Sequence, residues 1–129
     1  MPVLTASNPP AVRAPTSRYS HAVLVEGAGR RLVVSGQVGV APDGSVSGTA
    51  EGQIAQAFAN LRAVLRAHGM DYADVVKSTA FLTDRAHISA YRAARDAIFA
   101  EHAPAATLLV VAGLADPRWV VEIEAEAAG

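Results

Sequence analysis

Three glutamates near the end of the chain have a spacing that could place a catalytic carboxylate. Glu122, Glu124 and Glu126 alternate with Ile123 and Ala125, which is typical of a β-strand with one buried face. The apolar row belongs under helices, so the carboxylates point to the opposite face of the sheet. Either they form a solvated or ion-paired row, or one lies in a cleft between subunits and acts as a general base. The pattern alone leaves both interpretations open.

A second polar group interrupts an apolar helix face. In the helix predicted over residues 86–102, a rotation of about 100° per residue places Arg95 near the middle of the apolar face and Arg92 at its edge. A guanidinium in such a place must reach solvent or find an anion. The sequence favours an ion pair with a carboxylate of the protein over ligand binding.

Other kinds of site find no support in the sequence. The chain has no cysteine, and its four histidines have no companion at nucleophile or metal-ligand spacing. Gly27 and Gly29 are not followed by a third glycine and a helix, so they indicate a turn rather than a dinucleotide loop. The polar stretch Ser35-Gly36-Gln37 ends an apolar strand, and turn chemistry would explain it. We therefore predict no metal and no nucleotide site.

Composition excludes further classes of function. A net charge of −1 and an aromatic content of 5% provide neither the basic surface nor the stacking groups of a nucleic-acid-binding protein. The absence of cysteine fits a reducing compartment. The first ten residues lack the features of a signal peptide, and the longest apolar run, residues 108–112, is too short to span a membrane. We expect a cytoplasmic protein that binds neither nucleic acid nor membrane.

Hydrophobic periodicity and turn residues predict one α+β domain over residues 1–129. Residues 1–18 contain four prolines and are expected to be irregular. Thr49 is expected to cap the first helix, which runs to about His68, and Gly69 to stop it. The expected order is β-β-α-β-α-β-β, with the first two strands joined as a hairpin through residues 26–30. The strands are expected at residues 19–25, 31–40, 75–83, 107–112 and 119–125.

The number of predicted helices is too small for the predicted sheet, and this indicates that the protein forms an oligomer. Two helices cannot cover both faces of a five-stranded sheet. The strand over residues 107–112 shows no polar alternation and should be buried on both sides. The face without helices must then meet another subunit, so the pattern predicts an oligomer.

Four segments, taken together, resemble the RidA (YjgF) family over about residues 17–126. In order they are YSHA at 19–22, VSGQ at 34–37, DVVKSTAFLTD at 74–84 and VEIEA at 121–125. A Pro-Ala pair precedes the fourth strand, as in the family. The resemblance implies a chorismate-mutase-like fold, a mixed sheet with two helices on one face, and a homotrimer with clefts between subunits. Active members hydrolyse enamines and imines released by pyridoxal-phosphate enzymes to 2-oxo acids and ammonia, and they require no cofactor.

The resemblance also implies roles for single residues. Glu122 would activate water. The substrate site would be lined by Tyr19, Ser35, Gly36, Gln37 and Arg92, the last at a position that is often Asn. In active members an arginine directly after the Pro-Ala pair grips the substrate carboxylate, and here that position is Ala106. Losing two charge-assisted hydrogen bonds removes about 3 to 6 kcal/mol of binding.

Three interpretations of Ala106 stay open. The substrate lacks the usual carboxylate, or Arg92, Arg95 or Arg118 captures it, or the protein has kept the cleft but not the deaminase. We expect a small-molecule site between subunits that hydrolyses imine or enamine metabolites without being a standard 2-imino acid deaminase. The alternative is a non-catalytic ligand-binding or regulatory trimer. Ribonuclease activity, a label that the family has carried, is disfavoured by the neutral charge and the unpaired histidines.

Overall fold

A computed structural model describes residues 2–11, 14–15, 18–27 and 29–129. Within them the chain forms six strands, two α-helices and two short 3-10 helices, Tyr72–Asp74 and Arg85–His87. The bounds in chain order are β1 Val3–Ser7, β2 Ala22–Glu26, β3 Arg31–Val38, α1 Ala50–Ala67, β4 Val75–Leu82, α2 Ile88–Phe99, β5 Ala105–Val110 and β6 Val121–Ala128. The α+β class and the predicted order of the central elements are confirmed.

The main sheet has four strands in the order β3-β6-β4-β5, with β4 and β5 parallel and the other pairs antiparallel. Its helix-facing side supplies the core. Along β6, Val121, Ile123, Ala125 and Ala127 are buried, whereas the glutamates between them lie on the other face; Ala128, at the end of the strand, is also buried. The expected two-residue alternation of this strand is confirmed.

The ends of helix α1 follow the expected capping chemistry. The side chain of Thr49 accepts a hydrogen bond from the backbone N–H of Gly52 at 3.1 Å. At the other end, Gly69 adopts a φ of +73°, a conformation that glycine tolerates best. The buried stripe of the helix includes Phe58 and Leu61, which pack on the sheet.

The N-terminal region differs from the expected irregular segment. Val3–Ser7 forms a strand, β1, that pairs antiparallel with β2 in a separate two-stranded sheet. The prolines of this region flank the strand at positions 2, 9 and 10, so they do not interrupt its ladder.

The expected hairpin between β2 and β3 is not observed, and the main sheet has four strands rather than five. Within the described ranges the ladder partner of β2 is β1, and that of β3 is β6. Gly27 takes a φ of +63° in the connection, which also contains Ala28, a residue outside the described ranges. β2 and β3 therefore belong to different sheets.

Large apolar side chains are exposed on the main sheet. Val33 on β3 is 69% exposed and Leu109 on β5 is 45% exposed, and these two strands form the edges of the sheet. Exposed edges and apolar surface of this kind are normally covered in the functional assembly. Among the described residues, neither helix has the length and apolar character that a membrane span requires.

Candidate functional site

Glu122 lies in a hollow on the face of the sheet that the helices leave open. The hollow has a volume of about 290 Å³. Glu122 points towards β3, where Gly36 provides the space that its carboxylate occupies. A Cβ atom at position 36 would lie 2.1 Å from Glu122 Oε1 and 2.8 Å from its Cγ. The lining residues are Gly36, Phe81, Val111, Gly113, Leu114, Glu122 and Glu124. We call this space the Glu122 hollow.

The three carboxylates of β6 differ in their surroundings. Glu126 forms an ion pair with Arg31, so the ion-paired interpretation is correct for this residue. Glu124 is exposed. Glu122 is half-buried and faces the Gly36 backbone. Glu122 therefore differs from the other two carboxylates in being half-buried against the Gly36 backbone, without the ion pair that Glu126 forms.

A β-bulge shapes the wall of the Glu122 hollow. Val34 pairs with Ala125 and Gln37 pairs with Ile123, so two residues of β3 stand where β6 has one. The two are Ser35 and Gly36, and the Gln37 side-chain amide donates to the Ser35 carbonyl at 3.0 Å. The polar stretch is thus a bulge within the strand rather than a turn at its end. Bulges re-aim side chains next to functional sites.

A second cavity lies at the outer edge of the sheet, between β5 and α2. It has a volume of about 250 Å³. Ala106 pairs with the buried Ser78, so its side chain points to the helix side of the sheet. The lining residues are Tyr19, Tyr91, Arg92, Arg95, Ala106, Thr107 and Leu108. We call this space the α2–β5 cavity.

Hydrogen bonds on either side of Tyr19 hold it against this cavity. The Ser20 hydroxyl donates to the Ala103 carbonyl, and the Ser20 N–H donates to the Pro104 carbonyl at 3.3 Å. The Arg18 guanidinium donates to two carbonyls at the end of α2, those of Asp96 and Ala100. A cation at this end of a helix also meets the negative pole of the helix dipole.

Arg95 is buried, as its helical phase predicts. It is 6% exposed, and its Nε donates to Asp96 Oδ1 at 3.0 Å. The predicted ion pair is therefore confirmed. Arg95 Nη2 lies 3.0 Å from the same oxygen but is misaligned, and it has no hydrogen-bond acceptor within the described part of the chain.

Tyr91, a buried residue of α2, also lines this cavity, and sequence reasoning did not propose it as a site residue. It lies one helical turn before Arg95, and this spacing was the available signal. Burial raises the pKa of Tyr91 to about 12, so its phenol stays protonated at neutral pH. A neutral hydroxyl in this cavity can donate a hydrogen bond to a ligand.

The predicted site residues thus fall into two groups within one protomer. Tyr19, Arg92 and Ala106 line the α2–β5 cavity, whereas Gly36 and Glu122 line the hollow on the opposite face of the sheet. Ser35 shares the bulge with Gly36, and Gln37 is the next paired residue of β3; neither is among the residues that line the hollow. The described ranges contain no cluster of His, Asp or Glu side chains suited to a metal ion.

Comparison with known proteins points to one family. The family model described as Endoribonuclease L-PSP matches residues 10–129. Human 2-iminobutanoate/2-iminopropanoate deaminase is 36% identical over 112 residues, which cover 84% of this chain and 78% of the human protein. Protein HMF1 of Saccharomyces cerevisiae is 34% identical over 129 residues, which cover 98% of this chain and 93% of the yeast protein.

Solved structures agree with this result. The Rid-family protein YyfB of Yersinia pestis, described as a protein of unknown function, superposes with a TM-score of 0.88 at 31% identity, covering 98% of both chains. RidA of an Antarctic Psychrobacter superposes with a TM-score of 0.75 at 32% identity, covering 90% of this chain and 92% of the other. The two helices on one face of a mixed sheet are consistent with a chorismate-mutase-like fold. Because the family model matches nearly the whole chain and these relatives cover most of it, this chain belongs to the RidA (YjgF) family.

Proposed function

We propose that this protein hydrolyses small imine or enamine metabolites in a site where Glu122 activates water. The observation that carries the proposal is the Glu122 hollow, in which Gly36 leaves room for a carboxylate beside an open cavity. The relatives named 2-iminobutanoate/2-iminopropanoate deaminases support the same reaction class.

The reaction needs only water and proton transfer. Glu122 accepts a proton from water as the oxygen attacks the imine carbon, and the nitrogen is then protonated. The carbon–nitrogen bond breaks as the carbonyl forms, so one imine and one water give one carbonyl compound and one ammonia. Ser35 and Gln37 flank Gly36 along β3, and in this proposal they supply polar groups that orient the substrate.

We further propose that the complete site forms between subunits of a homotrimer. Within one protomer, Tyr19 and Ala106 lie on the other side of the sheet from Glu122. A neighbouring subunit that brings its α2–β5 cavity to the Glu122 hollow would unite the two groups. The exposed Val33 and Leu109 support such contacts.

The direct test combines turnover with the state of assembly. An amino-acid oxidase acting on alanine generates 2-iminopropionate, and longer amino acids generate a panel of imines. We expect the wild-type protein to release ammonia from these imines faster than the reaction without protein. Glu122→Gln keeps the shape of the side chain but removes the base, so its turnover should be at least 100-fold lower. Sedimentation equilibrium should give the mass of a trimer. Equal turnover of both proteins, or a monomer at micromolar concentration, would refute the proposal.

The second candidate is a ligand-binding or regulatory trimer without catalysis. Ala106 favours it, because a substrate carboxylate loses the strand arginine that orients it in active members. The same imines and their stable 2-oxo analogues distinguish the two functions. Thermal stabilisation by these compounds without turnover would establish binding alone.

A further inference from the structure

We propose that Arg95 is the residue that binds the anionic group of the ligand, which we call the anion anchor. This inference rests on the imine-hydrolysis site proposed above. In this proposal the Nη2 group of Arg95 binds a carboxylate of the ligand inside the α2–β5 cavity. The anchor then comes from a helix, whereas the family resemblance places it on the strand, at position 106.

The first observation is the hydrogen bonding of the Arg95 side chain. Its Nε is bound to Asp96, but its Nη2 is buried and has no acceptor among the residues that the structure describes. Asp96 balances the charge of Arg95, but a buried N–H group without an aligned acceptor is still unfavourable, and a ligand oxygen in the adjoining cavity would satisfy it. The guanidinium is held in place by Asp96, so little ordering is needed when the ligand binds.

The second observation is the space left by Ala106. Its side chain ends at Cβ and points to the helix side, into the same cavity as Arg95. A long side chain on this strand would fill part of the cavity. With alanine there, a ligand carboxylate can pass the strand and reach the helix.

The other two candidate arginines fit this role less well. Arg118 is bound to Asp116 through both Nε and Nη2, and it is absent from the lining of the α2–β5 cavity. Arg92 lines the cavity but is exposed, so solvent screens its charge. Arg95 combines burial, an available donor and access to the cavity.

The geometry also indicates the class of ligand. With Nε occupied by Asp96, the donors that Arg95 has left for a ligand are its Nη groups. The Tyr91 hydroxyl, in the same cavity, is available for the second carboxylate oxygen. Compact monocarboxylates such as 2-imino and 2-oxo acids match this pair of donors.

The test uses pyruvate and 2-oxobutanoate, which are stable analogues of the hydrolysis products, in NMR titrations. Arg95→Met retains the length of the side chain and removes the charge. We expect it to bind both acids at least tenfold more weakly than the wild type. Arg118→Met, which removes an arginine outside the cavity, should bind them like the wild type. Pyruvamide, the neutral counterpart of pyruvate, should show no dependence on Arg95.

A measurement on the wild-type protein guards against misfolding of the variant. The guanidinium N–H signals of Arg95 should shift as pyruvate is added, while those of Arg118 stay unchanged. Unshifted Arg95 signals, or equal affinity of wild type and folded Arg95→Met, would overturn the anchor even if Glu122→Gln abolishes turnover. If pyruvate binding depends on Arg95 but no imine is hydrolysed, the anchor stands and the hydrolase proposal fails.

Discussion

Replacing Gly36 with alanine should displace the Glu122 carboxylate while leaving the fold intact. The added Cβ would lie 2.1 Å from Glu122 Oε1, whereas ordinary contacts begin at 3.4 Å. The carboxylate must therefore move by about 1.3 Å. The φ of Gly36 is not positive, so alanine can adopt the same backbone conformation.

The structure sets the expected size of the effect. A misplacement of about 1 Å costs on the order of 100-fold in rate, which corresponds to about 2.7 kcal/mol in the activation barrier. The clashing atoms belong to a flexible side chain that can rotate away, so the free energy of unfolding should change by less than about 1 kcal/mol. We expect turnover to fall about 100-fold with a thermal midpoint within about 5 °C of the wild type.

Imine hydrolysis and thermal unfolding, measured on the same preparation, provide the assay. Gly48→Ala is the matched control, because its added Cβ would meet no atom within 4 Å and its φ is not positive. This control should retain wild-type turnover. Full activity in Gly36→Ala would show that the position of Glu122 does not determine the rate, and the reasoning from the Glu122 hollow would then be wrong.

Two further predictions concern the missing strand arginine and the pH dependence of stability. Ala106→Arg should raise kcat/KM for 2-iminopropionate at least tenfold, because an arginine on the strand can bind the substrate carboxylate itself, so the carboxylate no longer has to pass the strand to reach Arg95; unchanged or lower activity would contradict the carboxylate argument. Hydrogen bonds from Arg62 and the Tyr72 N–H, with a further one from Arg66, lower the pKa of Asp71 to about 2. Because this pKa lies below its ordinary value of 3.8, the contacts of the Asp71 carboxylate stabilise the folded protein above about pH 4. This contribution to the free energy of unfolding is lost as the pH falls towards 2. Asp71→Asn should thus lower the thermal midpoint at pH 7, and its difference from the wild type should shrink near pH 2; a constant difference would refute the assignment.

Local periodicity accounts for much of what the sequence predicted correctly. The alternation along β6 and the helical phase of Arg95 depend only on residue spacing, and the structure confirms both. The capping role of Thr49 likewise follows from a residue type and its immediate neighbours. Such features need no knowledge of the rest of the fold.

Long-range pairing accounts for most of what the sequence did not predict. The strand Val3–Ser7 is defined by its partner β2, and a proline-rich composition does not reveal that pairing. The bulge at Ser35-Gly36 exists only relative to β6, which lies far along the chain. Tyr91 joins the α2–β5 cavity because β5 and the Tyr19 segment pack beside its helix. These features depend on contacts between distant segments, which spacing alone does not encode.

The placement of the two cavities on opposite faces of one sheet restricts the symmetry of any assembly that unites them. A single partner cannot cover both faces of the same protomer, so each subunit needs two different neighbours. Contacts of this head-to-tail kind generate either a closed ring or an open filament. In a closed ring, every subunit contributes to two sites, and no single subunit contains a complete site. The number of sites then equals the number of subunits. If one subunit of a mixed ring has lost both of its cavities, the two sites that it shares with its neighbours are both inactive.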